Sequence, residues 1–335
     1  MRSGISHSPL LQAIYAHAAS EPDKVAMVAT NGGEITYSGL VNSIERASAF
    51  LRTAGVKTGD RVMLSAQKEI EFVYFYFGAH LAGIINVVVD AKNNADHLEY
   101  INSVTNPALA IGMKLEGRPS FEYDSIKFPS EPDSLHAPSV TPESTADVMF
   151  TSGTTGNPKG VRLSHFNIFS SAANINGFIK NTGADIELLG LPICHSFGLG
   201  RLRCNMLSGG TVILHNGFAN LKSVFDTIAR YQVTGFGMVP AVWAYIKKFS
   251  GMRIGQYASQ IRYIEIGSAA MPPEDKKILA GLFPDTRICM HYGLTEASRA
   301  AFMEFHENIS DLSTAGKSVS PLVDIMIADE NGKKA

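Results

Sequence analysis

Ten consecutive residues, Thr151-Ser-Gly-Thr-Thr-Gly-Asn-Pro-Lys-Gly160, consist wholly of hydroxyl-bearing side chains, glycine, proline, asparagine and lysine. They follow one short apolar run and precede another at 161–164. Glycines such as Gly153 and Gly156 let a loop turn its backbone N–H groups inward as an anion nest. Thr151, Ser152, Thr154 and Thr155 add hydroxyl donors, and Lys159 adds a positive point charge. A polyphosphate needs this set of groups. The spacing is not that of a Walker loop: Pro158 stands where the second glycine would be, and Lys159 is followed by glycine rather than Ser or Thr. The same composition also suits an ordinary surface loop between two strands.

A second stretch, His291-Tyr-Gly-Leu-Thr-Glu-Ala-Ser-Arg299, follows the apolar run 287–290. Ligands of open α/β sheets bind beyond the carboxyl ends of strands, where this stretch would lie. Tyr292 can stack on a base, Thr295 can hydrogen-bond a phosphate, and Glu296 can hold a hard cation such as Mg2+. A lone glutamate there is more often a helix-start residue favoured by the macrodipole. A third stretch, Leu191-Pro-Ile-Cys-His-Ser-Phe-Gly-Leu-Gly200, offers His195 and Phe197 as the lining of a substrate pocket, or leaves His195 a loop histidine with no task. A fourth, Ile266-Gly-Ser-Ala-Ala-Met-Pro272, opens from a strand end into small residues, where backbone must approach something flat or closely packed.

Regular elements must hold these stretches. Leu40, Ile44, Ala47 and Leu51 recur at helical spacing, with Ser38 as the expected N-cap and Gly55 as the stop. A strand is expected at 61–65, then a buried helix to about Leu81 and a buried strand over 84–89. Further strands are expected at 147–151, 188–193, 211–214, 234–239, 261–266 and 287–290. Leu221, Val224, Phe225 and Ile228 mark a helix between them, and Pro272 and Pro273 open another. Strands alternating with helices predict parallel sheets covered on both faces. Five of the 15 prolines fall within 117–142, the expected connection between two halves. The end of the chain, from Asp324, reads as a strand and a turn.

With 335 residues, 45% of them hydrophobic and 18% charged, the chain can build a large core, which excludes global disorder. A net charge of −2 leaves no footprint for non-specific nucleic-acid binding. The 3 cysteines form no CxxC, so neither a disulfide framework nor a zinc knuckle is expected, and a reduced cytoplasmic setting is the simpler expectation. Pro9, Gln12 and His17 interrupt any signal-peptide core, and polar residues and glycines break the uncharged run 72–89, so no membrane span is expected.

The segments 151–161, 189–200, 266–272 and 291–296, in this order, resemble the adenylate-forming superfamily of acyl-CoA synthetases, adenylation domains of non-ribosomal peptide synthetases and firefly luciferase. AMP-forming acyl-CoA ligases are the most similar branch. Ile35-Thr-Tyr-Ser-Gly-Leu40 and Gly55-Val-Lys-Thr-Gly-Asp-Arg-Val62 resemble its first subdomain. The resemblance implies an α/β fold of two stacked subdomains of mainly parallel sheets flanked by helices, layered αβαβα. They would span 1–140 and 141–310, with the start of a β-barrel subdomain at 311–335. It implies that Thr151, Ser152, Gly153, Thr154, Thr155, Gly156 and Lys159 grip the phosphates of ATP. Gly267, Ser268, Ala269, His291, Tyr292, Gly293 and Thr295 would complete the nucleotide site, and Glu296 would ligate Mg2+. His195, Phe197, Gly198, Val239, Gly267, Gly293 and Leu294 would form the acyl pocket. Lys159, His195, Thr295 and Glu296 would be the catalytic set.

The implied reaction activates a small carboxylic acid to acyl-AMP with release of pyrophosphate, then passes the acyl group to CoA or to the phosphopantetheine of an acyl carrier protein. Amino-acid-activating members usually place an Asp beside an aromatic residue at the acyl site, which Cys194-His195-Ser196 lacks. An amino-acid-activating adenylation domain and an inactive nucleotide- or acyl-binding relative are the alternatives. A serine hydrolase using Ser152 or Ser268 with His195 would need a G-x-S-x-G elbow, which is absent. Members normally continue well past Ala335, so the ribose-binding aspartate, the hinge and the C-terminal domain with its lysine are expected beyond it, and residues 1–335 alone are expected to turn over little. Arg201 and Arg203, two apart on a helix, point to different faces. They are expected at a solvated or interface edge; one turned inward would imply a second negative group on the acid.

Overall fold

Consecutive side chains of a strand leave on opposite faces, and three valines show how this divides the molecule into layers. Val87 and Val89 pack into one buried cluster and Val88 into another. A computed structural model describes residues 8–90, 92, 94–129, 140–151 and 158–334. The chain runs through α1 (Pro9–Ser20), β1 (Val25–Val28), β2 (Glu34–Thr36), α2 (Tyr37–Thr53), β3 (Arg61–Ser65), α3 (Ile70–Leu81), β4 (Ile85–Val89), α4 (Ala95–Thr105), β5 (Leu109–Ile111) and β6 (Ser120–Phe121). There follow β7 (Thr145–Thr151), β8 (Lys159–Ser164), α5 (His165–Ile179), β9 (Ile186–Leu189), α6 (Ser196–Ser208), β10 (Thr211–Leu214) and α7 (Leu221–Tyr231). Last come β11 (Gly235–Met238), α8 (Pro240–Ser250), β12 (Tyr263–Ile266), α9 (Pro273–Leu282), β13 (Arg287–Tyr292) and β14 (Ala301–Glu304).

Two sheets result, both parallel inside and antiparallel at an edge. The smaller has the order β6-β5-β3-β4-β7-β8, and the larger β14-β13-β12-β11-β9-β10-β1-β2. Among the strands of the described residues, only the pairs β7 with β8, β1 with β2 and β13 with β14 are antiparallel. Leu10, Leu40, Phe75 and Leu202, from α1, α2, α3 and α6, pack between the sheets against Val62 and Val88 on one side and Met27 and Leu189 on the other. The outer face of the smaller sheet is covered by α4 through Ile101, and that of the larger by α7, α8 and α9 through Val224, Trp243 and Leu279. Each large side chain buried this way contributes about 1.5–3 kcal/mol. The layers are helix, sheet, helix, sheet, helix, as the family resemblance implied, and the sheets are parallel inside and covered on both faces, as the alternation predicted.

Sheet membership does not follow chain order across residue 140. The early strands β1 and β2 join the larger sheet, where Met27 and Val28 pair with Val212 and Ile213 of β10. The later hairpin of β7 and β8 completes the smaller sheet, Val87 of β4 pairing with Val148. Helix α2 is capped by Thr36, whose Oγ1 accepts from the Gly39 amide, and not by Ser38; the helix already starts at Tyr37, two residues before the start that a Ser38 cap would set. Strand β9 ends at Leu189, short of the expected 193, because Gly190 and Pro192 break the run. The proline-rich stretch contributes the edge strand β6. After Glu304 the described residues form isolated bridges, Phe302 with Lys317 and Ala328 with Lys334, in place of a strand, and no closed barrel is present among them. No helix among the described residues is long and apolar enough to cross a membrane.

Both Arg201 and Arg203 are buried, against the expectation of a solvated edge. Each finds carboxylates on a sheet. Arg201 meets Glu187 of β9 and Glu265 of β12, while Arg203 reaches across the central layer to Asp147 of β7. Their charge is used inside the fold, which removes them as evidence for a second negative group on the acid.

His165, buried at the start of α5, stacks edge-on against His80 at 4.9 Å, and its Nδ1 has no hydrogen-bond partner. Burial, reinforced by His80, lowers its pKa to about 3. In the unfolded chain it titrates near 6.5. The folded state therefore binds fewer protons between these values, and its share of stability, complete above about pH 6.5, is lost progressively towards pH 3, with a slope of up to about 1.4 kcal/mol per pH unit. His165→Phe should flatten that fall, as read by urea denaturation at pH 7 and pH 5; equal losses for both proteins would contradict it.

Candidate functional site

The glycine- and threonine-rich stretch starts where β7 ends. Thr151 and Lys159 at its two ends meet as a register pair of β7 and β8 at the edge of the smaller sheet. Ser152, Gly153, Thr154, Thr155 and Gly156 lie outside the described residues. Thr151 lines a cavity of about 300 Å3 that also receives His195, Ser196 and Thr295. Three stretches far apart in the chain, from both sheets, thus share one space. A neighbouring cavity of about 570 Å3 has Ser196, Thr295, Glu296 and Arg203 in its walls, with Val161 and Leu163 of β8 opposite. Lys159 is exposed at the start of that same strand.

The parallel pairing of β12 with β13 sets Ile266 beside Met290, so the loops that follow leave the sheet side by side. This starts the stretch Gly267-Ser268-Ala269 beside His291, the residue that leads into Tyr292, Gly293 and Thr295. Ser268 has φ 72°, a left-handed conformation that costs a non-glycine residue energy and clusters at ligand sites. Tyr292 and Leu294 are exposed. A Cβ on Gly267 would lie 2.1 Å from the His291 ring, and one on Gly198 would lie 2.2 Å from the Pro192 carbonyl oxygen. Both glycines are needed for close packing. Val239 is half-buried at the N-cap of α8.

His291 lines neither cavity. It is buried edge-on to Phe197 at 4.6 Å, with Nδ1 2.8 Å from Glu265 Oε1. Burial keeps its pKa below the ordinary imidazole value in spite of that carboxylate. Glu265 is itself held well below the usual carboxylate range: burial opposes this, but Arg299, His291 and Arg201 around it prevail. The sequence reading assigned Glu265 and Arg299 no role. A glutamate within the apolar run Tyr263-Ile-Glu-Ile266 was the available signal, since a buried charge requires a partner. Lys68 was also missed. It sits in a polar loop after β3, yet its Nζ donates to the Gly190 and His215 carbonyls beyond β9 and β10, and burial lowers its pKa to about 8. Nothing in its local sequence marks it.

Among the described residues no three His, Cys, Asp or Glu side chains are grouped to cage a metal. Glu296 is exposed in the wall of the larger cavity beside Thr295 and Ser196. One carboxylate among hydroxyls suits Mg2+, which is usually held by one or two carboxylates, substrate phosphates and water. The residues present fit that ion.

A family model described as AMP-binding enzyme matches residues 14–335. The chain is 26% identical over 322 residues to 4-coumarate–CoA ligase 3 of Arabidopsis thaliana, covering 87% of this chain and 56% of that protein. It is 28% identical over 310 residues to 2-succinylbenzoate–CoA ligase of Bacillus velezensis, covering 88% and 61%. It thus spans a little over half the length of these relatives. Among solved structures, o-succinylbenzoate CoA synthetase from Bacillus subtilis in complex with the acyl-adenylate intermediate superposes with a TM-score of 0.86 at 22% identity, over 96% of this chain and 66% of that one.

Proposed function

The chain belongs to the AMP-binding enzyme family, and from that premise we propose that it binds ATP and activates a carboxylic acid to acyl-AMP, releasing pyrophosphate, for transfer to CoA or a carrier-protein thiol. The observation that carries this proposal is the convergence of Thr151, His195 and Thr295 on one cavity.

A carboxylate oxygen attacks the α-phosphorus of ATP. A new C–O–P linkage forms, the bond from α-phosphorus to the bridging oxygen breaks, and that electron pair leaves with pyrophosphate. The acid is already ionised at neutral pH, so no protein base is required. The barrier is the approach of one anion to another, and positive charge and N–H dipoles lower it. Thr151 and Lys159, paired at the two ends of the glycine-rich stretch, serve the β- and γ-phosphates. Thr295 donates to the α-phosphate, and Glu296 holds Mg2+, which when bound withdraws charge from the phosphate oxygens. Tyr292 covers the adenine, with Gly267, Ser268 and Ala269 along its edge. His195 and Phe197 orient the acid, and holding both reactants in line supplies much of the remaining rate. In the second step the acceptor thiol gives up its proton to water and its sulfur attacks the acyl carbon; a C–S bond forms, the acyl–phosphate C–O bond breaks, and AMP leaves with that electron pair.

The test is pyrophosphate release from ATP and Mg2+ across short, medium-chain, aromatic and dicarboxylic acids, alongside equilibrium binding of AMP. AMP binding together with release that depends on one class of acid is the expected result. Absence of both overturns the proposal.

A further inference from the structure

We infer that Arg299 is the positioning residue that fastens the loop carrying Thr295 and Glu296 to the first turn of α6, so that the two halves of the site are set as one unit. What the positioned groups do rests on the proposed function; the fastening itself does not.

Arg299 is 2% exposed and spends its donors in four directions. Nε donates to Glu265 Oε1 at 3.0 Å, Nη1 to the Ser196 carbonyl at 3.2 Å and to Ser298 Oγ at 3.1 Å, and Nη2 to the Phe197 carbonyl at 3.2 Å. Its guanidinium also lies 5.0 Å from the centre of the Phe197 ring. These partners come from β12, from α6 directly after His195, and from its own loop. The backbone at Arg299 has φ 53°, a conformation that persists in a non-glycine residue only where its surroundings over-determine it.

The loop it anchors is closed on itself. Leu294 N donates to the Ala297 carbonyl at 3.1 Å, and Ala297 N donates back to Leu294 at 3.2 Å. Thr295 and Glu296 sit between these bonds and move with the turn. Beyond Arg299, one bond ties this turn to α6, the 3.4 Å contact of Thr295 Oγ1 with Ser196 Oγ. The anchor is itself anchored: Glu265, which Arg299 holds, is also held by Arg201, and Arg201 by Glu187 on β9. Two guanidinium groups and two carboxylates alternate, so the buried charge is balanced. Glycines clear the space. A Cβ on Gly200 would stand 2.6 Å from Arg299 Nη1, and one on Gly293 2.4 Å from Arg299 N. Lysine cannot replace this residue, because a single ammonium lacks the planar fork that reaches two successive carbonyls and a carboxylate together.

Three variants test the inference. Arg299→Gln removes the charge, Arg299→Lys keeps it without the fork, and Gly200→Ala displaces the guanidinium while leaving it in the chain, alanine being favourable in a helix. Amide hydrogen exchange should quicken by about tenfold in both 195–199 and 293–300 in all three, with β9 and β12 unchanged. The affinity gain that Mg2+ confers on ATP, which depends on Glu296, should shrink by about tenfold in the same variants, over and above what Mg2+-free ATP affinity loses through Thr295. General structural damage would lower both affinities together. Unchanged exchange in the two segments, or parallel loss of both affinities, overturns the role of Arg299. A parent protein that binds no ATP would overturn the proposed function instead, and the exchange measurement would still decide the fastening.

Discussion

Asp147→Ala is expected to cost about 3–5 kcal/mol of folding stability, the range for removing one member of a buried ion pair. Asp147 is fully buried on β7 and accepts from Tyr76 Oη at 2.6 Å, from His80 Nε2 at 2.9 Å, from Asn86 Nδ2 at 3.2 Å and from Arg203. His80 and Arg203 hold its carboxyl well below the usual range against burial, so its stabilising contribution persists through neutral pH and is lost only in strong acid. Alanine would leave the Arg203 guanidinium buried without a counter-charge and strip the Tyr76 hydroxyl of an acceptor. The cost therefore comes mainly from the partners left behind. That has a checkable consequence: the double variant Asp147→Ala with Arg203→Met should be more stable than Asp147→Ala alone, since removing both charges can be nearly neutral. Denaturant titration of the two singles and the double measures it. A single-variant loss below about 1 kcal/mol would show that the pair is not the tie between α6 and the smaller sheet that its geometry suggests. The loss should also weaken ligand binding, because Arg203 lies on α6, two turns from His195 at that helix's N-cap.

Glu296→Gln is expected to lower pyrophosphate release by about two orders of magnitude at saturating Mg2+, equivalent to about 2.7 kcal/mol of transition-state stabilisation. Glutamine keeps the length and shape of the side chain and removes the charge that would hold the cation. Glu296 is exposed and takes no part in the buried lattice of Glu187, Arg201, Glu265 and Arg299, so the thermal midpoint should barely move. A loss of rate without a loss of stability separates a binding carboxylate from the helix-start glutamate that the bare sequence also suggested. Release within about threefold of the parent value would remove Glu296 from the proposed machinery.

The sequence was most readable where one local rule governed the outcome. Leu40, Ile44, Ala47 and Leu51 lie on α2, the strand at 61–65 matches β3, and Pro272 and Pro273 open α9. The uncharged run 72–89 divides into α3 and β4, with the intervening turn at Gly83. Rules of reach and pairing were less legible. Ser38 looked like a cap, but a cap must precede the first helical residue, and Tyr37 is already in the helix. Arg201 and Arg203 looked like edge residues because helical spacing reports which way a side chain leaves and not what waits for it.

The order of chemistry-bearing stretches along the chain was enough to identify the family, since glycine-rich loops, strand ends and their polar residues are local patterns written in consecutive positions. Only the folded chain decided that β1 would pair with β10 and carry β2 to that sheet's edge, that Asp147 would receive Arg203, and that Arg299 would bind carbonyls beside His195. Those contacts join residues far apart in sequence, and a buried charge settles on whichever partner the packing brings within hydrogen-bond distance. Desolvation enforces that choice, and desolvation is a property of the assembled core rather than of any window of residues.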